Sequence, residues 1–139
     1  MSDHGPRFEV TLYHDQPIII VTGYHIPGRA GPVIEAMGVA LDEQLTALGH
    51  PAYVIFDFAT LKITLRQMLE SMATTTRGGP TGTLRDRRII QSVFVSTNPI
   101  LEKSSKAFGQ NQFGGLRIPN FATLDEALTY VQGRLADAE

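Results

Sequence analysis

The chain has 139 residues, 42% of them hydrophobic, no cysteine, no tryptophan and a formal net charge of -2. A chain of this length is expected to form one domain with a core that needs no disulfide or metal staple. The missing cysteines exclude a disulfide framework, a thiolate nucleophile and a cysteine-ligated metal, and the near-balanced charge argues against a general polyanion binder.

Met1 to Arg7 carries Asp3, Gly5 and Pro6 where a signal peptide needs basic residues followed by an apolar run. The most apolar stretches, Ile18 to Val21 and Ala52 to Phe58, are far shorter than the ~20 residues that cross a bilayer. A cytoplasmic protein, not a transmembrane one, is expected.

In chain order, Phe8, Val10 and Leu12 alternate with Glu9, Thr11 and Tyr13, the period of a half-covered strand over about 8–14. His14-Asp15-Gln16-Pro17 supplies turn residues, and the β-branched run from Ile18 predicts a second strand over 18–24, antiparallel to the first. Ile34, Met37, Leu41, Leu45 and Leu48 recur at helical spacing, predicting a helix over 32–48 that Gly49 ends. Ala52 to Phe58 is apolar except for Asp57, as a strand covered on both faces must be.

Thr64-Leu65-Arg66-Gln67 has the form of a capping box and opens a second helix, which Thr74-Thr75-Thr76 and Gly78-Gly79-Pro80 stop. A loop then leads to a fourth strand from Ile89 to Val95. Asn98-Pro99 pairs a cap with proline at the first helical position, predicting a third helix over 99–109. A short fifth strand follows near Leu116 to Phe121. Thr123-Leu124-Asp125-Glu126 is a second capping box, with Leu124, Leu128, Val131 and Leu135 forming the inward face of the last helix. The order β-β-α-β-α-β-α-β-α predicts a single α/β domain over 1–139: a five-stranded mixed sheet with helices mainly on one side.

The strand Ala52-Tyr53-Val54-Ile55-Phe56-Asp57, leading to a helix at Thr64, and the closing Phe121-Ala122-Thr123-Leu124-Asp125-Glu126-Ala127-Leu128 resemble the STAS-like (SpoIIAA-like) fold. That group contains anti-sigma-factor antagonists and the lipid-binding Sec14 (CRAL-TRIO) domains, and the resemblance is greatest to small bacterial single-domain STAS/SEC14-like proteins. In antagonists of this type, a phosphorylated serine at the start of the helix after the central strand is the switch. Here Leu61-Lys62-Ile63-Thr64-Leu65-Arg66 has no serine, and the Asp-Ser-Ser-Gly kind of motif is missing. Asp57, Thr64 and Arg66 are the residues at the switch position, with Thr64 the nearest hydroxyl and a helix cap in its own right.

The segment 77–88 holds four of the nine arginines. Arg77, Gly78, Gly79, Arg85, Arg87 and Arg88 make a candidate anion or partner-binding loop, because glycine lets backbone N–H groups approach an anion closely. The plain alternative is that the arginines are solvated or paired with acids such as Asp86. The loop has no lysine, so it is not a nucleotide phosphate loop, and no aromatics interleave its arginines, so nucleic acid is not expected.

His4, His14, His25 and His50 are scattered without a ligand pair, so no metal is expected. Ser71, Ser92, Ser96, Ser104 and Ser105 lack a nucleophile elbow, and Met37, Met68 and Met72 sit at core spacing. Asp57 either caps the turn through Phe58-Ala59-Thr60 or, with an arginine, could support catalysis. No second catalytic group can be named.

The expectation is therefore a non-enzymatic regulatory or protein-interaction domain without a cofactor, working through the Thr64 end of the second helix and the arginine-rich loop. The alternative is a Sec14-like carrier of an apolar or phosphate-bearing small ligand. A homodimer through strand one or an exposed helix face is a further option.

Overall fold

The computed structural model describes residues 8–24, 31–61, 64, 66, 87–100, 103 and 118–138. Its elements are β1 (Phe8–Leu12), β2 (Ile18–Gly23), α1 (Gly31–Leu48), β3 (Ala52–Asp57), β4 (Ile89–Val95), β5 (Asn120–Phe121) and α2 (Leu124–Ala138). The five strands form one sheet in the order β1-β2-β3-β4-β5, with β1 antiparallel to β2 and every other pair parallel.

This topology explains where the helices go. From β2 onward each parallel strand lies beside its predecessor, always stepping the same way, and a right-handed crossover from β2 to β3 puts α1 on one face. α1, the first crossover, packs Val33, Met37, Leu41 and Leu45 onto Ile19, Val21, Val54 and Phe56. Leu61, Ile100 and Ile118, which border the other two connections, belong to the same cluster. α2 has no strand to reach and covers the opposite face, where Ala127, Leu128 and Val131 meet Ile18, Ile20, Tyr53, Ile55, Val93 and Val95. Burial on both faces accounts for the unbroken apolar runs of β2 and β3, and each fully covered side chain stabilises by about 1.5–3 kcal/mol.

The local signals act as their chemistry requires. β1 ends at Leu12, two residues before the expected end, because the chain turns at His14, which adopts a positive φ of 45°. Gly49 closes α1 with φ 80°, donating its N–H to the Leu45 carbonyl at 3.1 Å. The second capping box is complete: Glu126 N donates to Thr123 Oγ1, while Thr123 N and Ala122 N donate to Glu126 Oε1, all at 3.2 Å. Ile100 N donates to Asn98 Oδ1 at 2.9 Å, the cap expected before Pro99. β5 is shorter than expected, only Asn120 and Phe121. Most of the segments expected as the second and third helices lie outside the described residues, although Arg66, Pro99, Ile100 and Lys103 are helical.

Candidate functional site at the carboxyl end of the parallel strands

The candidate residues fall at opposite ends of the sheet. Asp57 is the last residue of β3, at the carboxyl end of the parallel strands. Arg88 is level with the first residue of β3, since Ala52 N donates to the Arg88 carbonyl at 2.9 Å. The six residues of β3 separate the two ends by roughly 17 Å. The Asp57 end and the described part of the arginine-rich segment therefore do not form one surface. Arg77, Gly78, Gly79 and Arg85 lie outside the described residues, as does Asp86.

At the carboxyl end, half-buried Asp57 accepts a hydrogen bond from Ala59 N at 3.2 Å through Oδ1, the turn-capping geometry of a short acidic side chain. Phe58 N donates to the Val95 carbonyl at 2.9 Å, and Leu61 N to the Phe58 carbonyl at 3.0 Å, so the turn is stitched to β4. The Phe58 ring joins Phe56 and Phe94 at centroid distances of 5.8–5.9 Å and lies against Gly23. A Cβ at Gly23 would come within 2.8 Å of Phe58 Cδ1, so glycine here serves a close approach. Beyond this anchored turn, Thr64 and Arg66 are both exposed, Arg66 in helical conformation.

Two neighbours complete this end. The Tyr24 hydroxyl donates to Glu9 Oε1 at 2.9 Å. That bond, partial desolvation and the charges of Glu9 and Asp57 push the phenol above its ordinary value of 10.0. On the other side, buried Ser96 accepts from Asn98 N at 2.9 Å through Oγ, and its carbonyl accepts from Asn120 Nδ2 at 3.1 Å. Gly23, Tyr24, Asn98 and Asn120 were not among the expected site residues. Only Gly23 carried a signal, since a glycine closing a β-branched run suggests close backbone approach.

At the amino end Arg88 is a strut: its guanidinium pairs with Asp42 of α1 and donates to Thr46 Oγ1 at 2.9 Å. Its acidic partner is thus Asp42, 46 residues away, a pairing local spacing cannot show. Arg87 is exposed. Ala52 pairs with Ile89 and Val54 with Ser92, so Ile90 and Gln91 together oppose Tyr53 in a bulge. The bulge leaves Ile90 50% exposed, while Tyr130 of α2 donates to Gln91 Oε1 at 2.9 Å and Arg134 stacks over the Tyr130 ring.

His14 occupies the hairpin turn and His50 the turn after α1, and among the described residues no three His, Asp or Glu side chains converge as metal ligands. No described helix is long and apolar enough to cross a membrane.

Solved structures share this fold over most of the chain. An uncharacterised protein of the DUF3478 family from Shewanella loihica, described as having a SpoIIAA-like fold, superposes with a TM-score of 0.57 at 12% identity, covering 89% of this chain and 91% of that one. The fold is SpoIIAA-like. An anti-sigma factor antagonist from Mycobacterium paratuberculosis superposes with a TM-score of 0.53 at 19% identity, covering 90% of this chain and 92% of that one. The sequence matches no protein-family model and no curated protein sequence. Of the residues expected at the switch position from the sequence resemblance, Asp57 ends β3, and Thr64 and Arg66 follow beyond the turn, Arg66 in helical conformation.

Proposed function

We propose that this SpoIIAA-like domain is a non-enzymatic regulatory module that binds a protein partner through the carboxyl end of its parallel strands, centred on Asp57, Thr64 and Arg66. The observation that carries this reading is the contrast at that end between an anchored turn and the exposed polar residues beyond it. Asp57, Phe58 and Gly23 hold the backbone in place, and Thr64 and Arg66 stand in solvent just after it. A fixed turn next to exposed side chains lowers the ordering cost of association. Among the described residues Asp57 is engaged in its own turn, and Arg87 and Arg88 lie at the far end of β3, which speaks against an Asp57–arginine catalytic pair with either of them. The test is quantitative capture from native lysate with the wild-type chain, a Thr64→Glu/Arg66→Glu variant and an Arg87→Ala variant. A partner retained by the first and third and lost from the second is expected; identical partner sets for all three overturn the assignment.

One observation favours a second reading, a small-ligand carrier. Ser92 Oγ faces the α1-covered side of the sheet, is buried, and has no hydrogen-bond partner among the described residues. An unmatched buried hydroxyl costs about 1–3 kcal/mol, and a ligand oxygen would relieve it. Native mass spectrometry of freshly purified protein separates the readings: a bound ligand adds mass, and bare protein removes the carrier.

A further inference from the structure

The two edges of the sheet are finished differently. β5 ends the sheet with two residues, the short edge strand that folded proteins use to avoid unwanted pairing. β1 ends it with five residues, Phe8-Glu9-Val10-Thr11-Leu12, regularly paired to β2 along their whole length. They include no lysine, no proline and no bulge, and of the usual guards of an exposed edge only one charge, Glu9. Among the described residues nothing pairs with the outer side of β1.

The register shows which backbone groups that outer side offers. Tyr13 N donates to the Ile18 carbonyl at 2.8 Å, in line with the β1–β2 pairing. Alternation along an antiparallel ladder then directs the N–H and C=O groups of Glu9 and Thr11 to β2, and those of Phe8, Val10 and Leu12 outward. These three residues are also the ones whose half-buried side chains pack on the α1 side of the sheet. Glu9 and Thr11 face the other side and are exposed.

We propose that β1 is a homodimerisation edge, pairing antiparallel with β1 of a second copy about a two-fold axis at Val10. The strand is self-complementary in that register. Val10 meets Val10 of the second copy and Phe8 meets Leu12, with all outward backbone groups satisfied and the apolar side chains forming one layer on the side where both α1 helices lie. Glu9 faces Thr11 of the second copy, so the two carboxylates do not oppose each other, and this pair is the close, non-hydrogen-bonded kind. The axis runs perpendicular to the sheet, so the carboxyl ends of the two copies point in opposite directions and stay open. An edge of five residues makes a small interface, of the class that forms and dissociates with concentration.

Sedimentation velocity over a concentration series tests this, with thermal melts confirming that each variant is folded. Thr11 is exposed and its backbone groups face β2, so its substitution leaves the monomer intact. The wild-type chain is expected to dimerise. Thr11→Lys, opposite Glu9 of the second copy, should tighten the dimer and Thr11→Glu weaken it, each by roughly 2- to 30-fold because symmetry counts the pair twice. Val10→Pro removes an outward N–H that β2 does not use and should give monomers. Wild-type and Thr11→Lys chains that both stay monomeric throughout overturn the proposal. So does a dimer whose affinity is the same in both Thr11 variants, which would lie on another surface.

Discussion

The carboxyl and amino ends of the parallel strands make an instructive pair. At the amino end an arginine-rich segment meets the sheet, and its last arginine is occupied holding β4 to α1 through Asp42 and Thr46. At the carboxyl end the fixed elements are a phenylalanine on a glycine and a carboxylate on its own turn, and the exposed residues come after them. Conspicuous charge in a sequence is thus not the same as available charge. A guanidinium close to an acid on a neighbouring helix acts as structure, and the binding surface proposed above rests instead on the exposed Thr64 and Arg66 beyond a pinned turn.

The contrast is most sharply tested where the carboxyl end is anchored. Phe58→Ala removes a ring from the cluster and should cost about 3–5 kcal/mol of unfolding free energy. Gly23→Ala should cost about 1–3 kcal/mol by forcing the same ring aside. In denaturant unfolding the double variant should lose clearly less than the two together, because the clash disappears with the ring; strict additivity would mean that Gly23 matters for another reason.

A smaller effect separates the ends by function. Asp57→Ala gives up its turn hydrogen bond, about 0.5–1.5 kcal/mol, and should weaken capture of a partner dependent on Thr64 and Arg66. Arg88→Ala breaks a largely solvent-exposed ion pair, costing about 0.2–1 kcal/mol, and should leave that capture unchanged. If Arg88→Ala impairs capture more than Asp57→Ala, the amino end is the binding end.

The smallest expected signal is the Tyr24 titration. Its phenol is held above its ordinary value first by the hydrogen bond to Glu9, so the neutral form is favoured in the folded chain. The associated stability is fully present below pH 10.0 and is lost as pH rises through the raised value. Ultraviolet titration of the phenols should show one late component that moves down in Glu9→Gln. No movement would detach Tyr24 from Glu9 in solution.

Element by element, the sequence was most readable where a local rule acts alone. Gly49, Asn98 and the Thr123–Glu126 box mark helix ends through hydrogen bonds within a few residues, and all three are found as expected. The run at Ala52 implied cover on both faces and has it, and the run at Ile18, read only as a hairpin strand, is covered on both faces as well. The candidate site was less readable. Asp57 could be read as a turn cap from its neighbours, but the Phe58–Gly23 contact joins residues from different strands, and Arg88 finds Asp42 across a helix and a strand.

By itself, the sequence determined the five strands, the first and last helices with their ends and the β-β-α opening, because hydrophobic period and hydrogen-bond competition are local. Only the tertiary structure decided that the strands lie in sequential order, with α1 on one face and α2 on the other. It alone put Asp57 and Arg88 at opposite ends of β3, since crossover direction and register arise only when distant segments pack. The physical reason is the same for the opening composition: a net charge of -2 counts arginines and acids without saying which pair, and pairing is settled by proximity in the fold.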